Sequence, residues 1–527
     1  MANRDSSLSL LSTPHAMFES LTNSLLVETA RRRIAELFAA HAEWFYTTSY
    51  GNTQALRRRE LDIRIDHGRL IFSCWTDKGT RSWRIGALQW TGEKLLLQAS
   101  RRMGAERPVI ELVPRAAASA IAATVRAARQ LRCDQLAQLA CSSQPGAKIE
   151  RAALSRGMRR GQPGRYARIL LRLKHQRIAV TGSVTFSPAN EVDAFLSGAL
   201  LWFTRTNERM RPPFIQKLWL VVEPKSVRPL TQRLALLRDG LREAIVVYEI
   251  DEKWELLTQV VCPGRAEIWK KRLVRPPMPP QLETEGCAKA ILAVAPDAID
   301  VISSRHGQTV RYFGLPFARV RRLIGSERVW FGIEGDRRRL LEDKTEHAWY
   351  ALLGDLQEHR SAQALDHRHA LYRTAGEAWL ESLLRRDIIK LDPGLIIAPL
   401  HAQFRTARGG RPGVRPIDLL ALRRDGRLVV IELKVSEDRE HVLQGADYWQ
   451  RVEAHRRRGH IWRAKLFGER KIRDESPLVY LVAPTLRVHP AFPTLARTIA
   501  PDVEMYRFDI NEDWRGGVRV LRRLRVN

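Results

Sequence analysis

Residues 416–435 read PIDLLALRRDGRLVVIELKV, and the fold of the last third of the chain turns on how this stretch pairs. Two apolar runs flank Arg424, Asp425 and Gly426, a turn signal, so they read as the strands of a hairpin. Glu432 and Lys434 stand two apart in the second run, which sends both side chains to one face. The run 428–435 is otherwise apolar and is expected to be buried, where a lone charge is costly. The two charges must neutralise each other, face a cleft, or face a cation.

The register of the hairpin decides whether Asp418 joins them. If Asp425 and Gly426 form a two-residue loop, Arg424 pairs with Arg427 and Asp418 falls opposite Leu433, on the wrong face. If residues 424–426 form a three-residue loop with Gly426 left-handed, Arg423 pairs with Arg427. Asp418 then lies opposite Glu432. The second register, or a bulge that achieves it, is expected.

Two carboxylates a strand-spacing apart repel unless a cation lies between them. Oxygen ligands favour a hard ion, Mg²⁺ or Mn²⁺. Such an ion lowers the pKa of a bound water and offsets charge on a phosphorane, and a nearby lysine can orient that water. This inventory suits phosphodiester hydrolysis.

Asp418 followed by Glu432-Leu433-Lys434 on the next strand resembles the PD-(D/E)XK nuclease signature, with Pro416 one place early. Gln444-Gly445-Ala446-Asp447-Tyr448 is similar to the QxxxY motif of the RecB-like branch of that superfamily. Glu377 lies upstream in GEAWLESLLRR, an amphipathic helix where such nucleases often carry a metal-side Glu; Glu381 shares that helix. The resemblance covers about residues 371–527. It implies a restriction-endonuclease-like mixed sheet flanked by helices and Mg²⁺-dependent (or Mn²⁺-dependent) DNA cleavage. Asp418, Glu432 and the Leu433 carbonyl would be metal ligands, and Lys434 would position the water. Glu377 would hold a second metal or a bridging water. Gln444 and Tyr448 would organise the site.

Gln444, Tyr448, Arg451 and His455 follow i, i+4, i+7, i+11 spacing and share a helix face, with Val442, Trp449 and Val452 on another. The first stripe is expected to border the cleft, so that Arg451 and His455 meet phosphates or bases; a solvated face is the alternative. Arg456 is read as a phosphate contact or plain surface.

Working outward, residues 20–46 read as an amphipathic helix. Alternating runs (LDIRIDHGRLIFSCW, RSWRIGALQW, KLLLQAS, VIELVP) follow, as an antiparallel meander with turns at His67-Gly68 and Thr91-Gly92. An Ala-rich helix over about 116–141 precedes a Gly-, Arg-, Ser- and Gln-rich linker, 142–164. Residues 165–270 read as a hairpin, a helix, a strand (KLWLVVEP), a helix and a strand (AIVVYEID). RPPMPP at 275–280 marks a boundary. Residues 281–360 read as mixed, with strands near TVRYFG and RVWFGIEG and a helix over 343–358. Four domains are expected: 1–145, 165–272, 281–365 and 369–527. The fold class is α/β, or more broadly a multidomain α+β protein.

The unit 165–270 and the last unit share an order of elements. Aligning Arg177 with Arg427 sets Arg168, Gly182 and Val184 where Asp418, Glu432 and Lys434 stand. The first unit then reads as a nuclease-like copy without metal ligands, which would bind DNA or pack against its relative. The competing reading is two generic α/β units.

The chain has 527 residues, 88 Lys and Arg against 58 Asp and Glu, and a formal charge of +30. That balance attracts polyanions, nucleic acid first among them. Residues 371–527 carry 30 basic and 20 acidic residues, so two thirds of the excess lies earlier, as a broad surface rather than an arm. Hydrophobic content of 44% and charged content of 28% exclude disordered and fibrous classes. Five cysteines without a CxxC pair argue against a zinc site or a disulfide framework and suit a reducing compartment. MANRDSSLSL is not a convincing signal peptide, and no apolar run reaches about 18 residues, so a cytoplasmic protein without a membrane span is expected. No GxxxxGK[ST] loop occurs, so a motor would be a separate partner. A double-strand break would need a homodimer. The alternative to a nuclease is a non-catalytic nucleic-acid-binding protein whose Glu432 and Lys434 form a structural pair.

Overall fold

A computed structural model of the chain describes residues 18–527, apart from 49–52, 77–78, 92–93, 102–105, 115–117, 158–162, 186–191, 265–266, 268–283, 285, 305–306, 324–325, 334–337 and 405–415. MANRDSSLSL and RPPMPP lie outside the described residues. The protein is a mixed α/β, multidomain molecule with several sheets. It divides into two compact units, 1–174 with 179–187, and 175–178 with 188–527. Among the described residues, no helix is long and apolar enough to cross a membrane.

In the first unit, the helix Ser24–Ala40 is opened by Asn23, whose Oδ1 accepts from the Leu26 amide at 2.8 Å. Its buried stripe is Val27, Ala30, Ile34 and Phe38. The helix expected to reach residue 46 stops at Ala40. Glu43–Thr48 is a strand instead, burying Trp44 and Tyr46 on alternate positions while pairing with Val109–Pro114. An aromatic period of two outweighs the helical pattern there. The expected meander forms an antiparallel sheet, with His67 and Gly68 at φ of 47° and 70° in a two-residue loop between Leu61–Asp66 and Arg69–Thr76. The linker expected over 142–164 contains the strand Lys148–Arg156, which pairs with Pro163–Arg172. Its outward polar residues hid it: an edge strand needs little apolar content.

The second unit opens with helix α1 (Val192–Arg209), strand β1 (Ile215–Val222), helix α2 (Pro224–Leu234) and strands β2 (Ile245–Ile250) and β3 (Leu257–Val260). β1 runs parallel to β2, and β2 antiparallel to β3. Next comes an antiparallel five-stranded sheet spanning 299–340, covered by the helices Gly286–Val294 and Glu346–His359 around Phe317 and Trp349. Ile299–Ser304, Leu315–Leu323 and the first helix were missed in the sequence, where short runs broken by arginines and Gly lack a clean period.

The last part comprises helix α3 (Gly376–Arg386), strands β4 (His401–Phe404), β5 (Ile417–Leu422) and β6 (Leu428–Leu433), helix α4 (His441–Arg457), strand β7 (Leu478–Pro484), helix α5 (Phe492–Ala496) and strands β8 (Met505–Ile510) and β9 (Val520–Arg525). The six strands pair in chain order. β6, β7 and β8 are parallel to one another and the outer pairings are antiparallel. Apart from Glu432, β6 is apolar because both its faces are covered. Val429 and Ile431 pack with Trp379 and Leu380 of α3, and Leu428 and Val430 with Tyr448 and Val452 of α4. Gly445 lets α4 approach β7: a Cβ there would stand 2.6 Å from the Leu481 side chain.

Candidate active site

The hairpin adopts the three-residue loop. The Arg423 amide donates to the Arg427 carbonyl at 2.9 Å, and Gly426 has φ of +85°. With Leu419 opposite Ile431 and Leu420 opposite Val430, Asp418 falls across from Glu432 on the same face. Gly426 also sits against the chain, 2.7 Å from the Lys471 carbonyl to where a Cβ would be, so both its conformation and its neighbour demand glycine.

Asp418 Oδ2 accepts a hydrogen bond from the Leu433 amide at 2.9 Å, which fixes the carboxylate at the end of β6. Burial pushes its pKa up from 3.8 to about 6, against that hydrogen bond and the nearby Lys434 charge. Glu432 is 2% exposed. Its Oε1 accepts from Lys434 Nζ at 2.9 Å, and its Oε2 accepts no hydrogen bond. Burial first, then the Asp418 charge, hold its pKa well above the usual carboxylate range. Burial alone would lower the Lys434 pKa, but Glu432, Glu377 and Asp418 raise it, so the ammonium stays charged.

The half-exposed Glu377 lies at the first turn of α3, with Oε1 3.7 Å from Lys434 Nζ. Four of the expected residues, Asp418, Glu432, Lys434 and Glu377, therefore come together from β5, β6 and α3. Glu381, on the same helix, is buried with its Oε1 3.0 Å from Arg311 Nη2 of the five-stranded sheet, and its charge adds to the rise of the Asp418 pKa.

Gln444 and Tyr448 lie on α4, both 3% exposed. The Gln444 Nε2 donates to Glu440 Oε2 at 3.5 Å, while its buried Oε1 has no hydrogen-bond partner. Burial and the neighbouring Glu432 carboxylate raise the Tyr448 pKa, so the phenol stays protonated. The Arg451 guanidinium lies 4.4 Å over the Tyr448 ring and 3.1 Å from Asp447.

The expected nucleic-acid stripe is corrected at its far end. His455 is fully buried, with Nδ1 3.1 Å from His460 Nδ1, and cannot reach a phosphate. The Arg456 guanidinium is spent on Glu453 at 2.6 Å and on Asp474. The stripe read as bordering the cleft packs inward, Tyr448 on Leu428 and Val430 of β6 and His455 against His460.

Two neighbours were missed. Asp438 Oδ2 lies 3.7 Å from Lys434 Nζ. His441 is buried, with Nε2 3.3 Å from the Glu432 carbonyl. Burial, then the Lys434 charge, push its pKa down to about 4, so it is neutral and Nε2 donates. Both stand in EDREH, directly after the strand, where proximity to β6 was the available signal.

Among the described residues, no three His, Cys, Asp or Glu side chains gather as a ready-made metal cage. A set of two carboxylates and a main-chain carbonyl is a smaller demand. Glu432 Oε2, buried without a hydrogen bond beside a second carboxylate, fits a hard cation.

No family model matches this chain, and no curated protein does either. Among solved structures it is similar to one titled "Structure of EndoMS in apo form", at 8% identity and a TM-score of 0.16, covering 45% of this chain and 96% of that one. A likeness that loose carries no argument, and the chemistry rests on the residues themselves.

Proposed function

We propose that residues 369–527 form a Mg²⁺- or Mn²⁺-dependent nuclease of the PD-(D/E)XK kind that hydrolyses DNA phosphodiester bonds. One observation carries the reading: the loop at Gly426 sets Asp418 across from Glu432, with the charged Lys434 ammonium beside both. Asp418, Glu432 and the Leu433 carbonyl would hold the ion. A divalent ion there supplies charge that lowers the pKa of water and offsets the phosphorane. Lys434 keeps its proton and donates it as a hydrogen bond to the attacking water or to a phosphate oxygen. Glu377, at the open rim, accepts from that water. His441 holds the Glu432 end of the strand in place, Gln444 would organise the site from α4 with its unbonded Oε1, and Tyr448 contributes a neutral wall. The formal charge of +30 supplies the attraction to a polyanion.

A second reading is favoured by the 2.9 Å contact between Lys434 and Glu432: a structural ion pair in a DNA-binding protein. The two readings separate on labelled plasmid and linear DNA incubated with Mg²⁺, Mn²⁺ or EDTA. Metal-dependent cutting that disappears in Lys434→Ala and Asp418→Ala supports the nuclease. Salt-sensitive binding that Mg²⁺ leaves unchanged, with no cutting, supports the ion pair.

A further inference from the structure

The two halves of the second unit that begin at α1 and at α4 follow one plan. Apart from the short helices Asp239–Ala244 in the first and His460–Arg463 in the second, each runs helix, strand, helix, strand, strand. The first two strands are parallel and the last is antiparallel, in β1-β2-β3 and again in β7-β8-β9. They also meet through equivalent parts. Leu237, before β2, forms an isolated antiparallel bridge with Ile499, before β8. The Arg238 amide donates to the Thr498 carbonyl at 2.9 Å, and the Ala500 amide returns a bond to the Leu236 carbonyl at 2.9 Å. α1 packs on α4, α2 on α4 and α5 on α1, a set that maps onto itself when the halves are exchanged. Arg233 of α2 ties the helices by pairing with Asp193 of α1 at 2.7 Å and with Asp447 of α4. Self-matching contacts of this kind are the mark of an isologous two-fold interface, here within one chain.

The hairpin that precedes α1, Pro163–Arg172 with Arg177–Ser183, stands in chain order where β5 and β6 stand before α4. It carries no matching chemistry. The Val184 amide donates to the Arg165 carbonyl at 2.9 Å, a register that sets Ala167, not Arg168, across from Gly182. The alignment of Arg168 with Asp418 is thus one residue out, because this hairpin turns through four residues rather than three. Ala167, Gly182 and Val184 offer neither carboxylate nor ammonium.

We propose that residues 192–260 take the place of a second nuclease subunit, so that one chain engages a DNA duplex alone and cuts one strand of it. This rests on the nuclease reading above. Such a protein nicks. A second subunit with its own carboxylates would cut both strands, and a chain lacking the built-in half would need to dimerise to hold a duplex.

The test combines two measurements on the full chain. Sedimentation velocity with a short labelled duplex in EDTA, where nothing is cut, should give one chain per duplex. Supercoiled plasmid with Mg²⁺ or Mn²⁺ should pass to open circles at a rate linear in protein, linear DNA following only as later independent nicks accumulate. Two chains per duplex, or linear DNA rising in step with the loss of supercoils, would overturn the proposal while leaving the nuclease in place. One chain per duplex with no cutting in any metal would overturn the nuclease reading and with it the single cut.

Discussion

The halves of the second unit that start at α1 and at α4 share strand order and helix placement, yet they differ where chemistry would occur. In the hairpin preceding the later half, a three-residue loop sets Asp418 against Glu432, with Lys434 following. In the hairpin preceding the earlier half, a four-residue loop sets Ala167 against Gly182. The comparison teaches that frame and site are separable. The frame needs only apolar strands and a helix that packs, which either sequence supplies. The site needs charge on a buried face, which costs stability unless something binds it.

The largest expected effect breaks the comparison at the site. Lys434→Ala and Asp418→Asn should each lower DNA cleavage by about 10²–10⁴-fold, the range for removing a group that acts in the transition state. DNA affinity in EDTA should change by less than about threefold, since one charge among many phosphate contacts is removed. Asp418→Asn and Glu432→Gln, which remove the ligand carboxylates, should lose any rise in melting temperature that Mn²⁺ gives the wild type. Cleavage surviving in both would leave the two halves equally inert at these positions.

Next is the seam. Arg233 lies between Asp193 and Asp447, with its side chain 13% exposed, and these two carboxylates hold its charge firmly despite burial. Arg233→Met should destabilise the protein by about 3–5 kcal/mol in urea unfolding, because it leaves Asp193 facing a neutral group and Asp447 with Arg451 alone. Adding Asp193→Asn and Asp447→Asn should restore most of that loss. No loss from the single variant would show that the two halves do not stabilise each other there.

How much of this was legible in the sequence follows from range. The Gly426 loop and the Asp418–Glu432 register depend on residues within one hairpin, and the two-residue spacing of Glu432 and Lys434 betrayed the face. The fate of α4 depended on residues far away. Gln444, Tyr448 and His455 form a polar stripe that reads as a cleft edge, but Tyr448 packs on Leu428 and Val430 of β6 and His455 lies against His460, while Asp447 beside them is held by Arg233 of α2, more than two hundred residues earlier. Glu381 likewise was indistinguishable from Glu377 until Arg311 was found beside it. The four-residue loop of the earlier hairpin was missed because Leu173, Lys174, His175 and Gln176 contain no turn signal.

A third prediction sharpens the site through pH. Asp418 has its pKa raised from 3.8 in the unfolded chain to about 6. A raised carboxylate favours the protonated fold, so its contribution is fully present below about pH 4 and is lost as pH rises through 6. The loss is about 3 kcal/mol at most, at about 1.4 kcal/mol per unit. Asp418→Asn does not titrate, so its stability relative to wild type should grow between pH 4 and pH 8. His441, pushed down to about 4, acts in the opposite direction, losing stability as pH falls from 6.5. It is present in both proteins and cancels in the difference, whereas Glu432, whose pKa the Asp418 charge also raises, is relieved in Asp418→Asn and adds to the difference in the same direction. Urea midpoints of the pair at several pH values measure this, and a flat difference would mean that Asp418 is solvated.

The smallest expected effect concerns Arg456, on the far end of α4. Each phosphate contact adds about 0.9 to the slope of log affinity against log salt. Arg456 is tied to Glu453 at 2.6 Å and to Asp474, so Arg456→Ala should leave that slope unchanged within about 0.3. It should instead cost stability, because Glu453 is fully buried and would keep only Arg457, 2.6 Å away on a half-exposed side chain. A drop of nearly one unit in the slope would restore Arg456 to the nucleic-acid face. It would then mean that the ion pairs seen here open when DNA arrives, and that the later half grips DNA through its helix as well as through its strands.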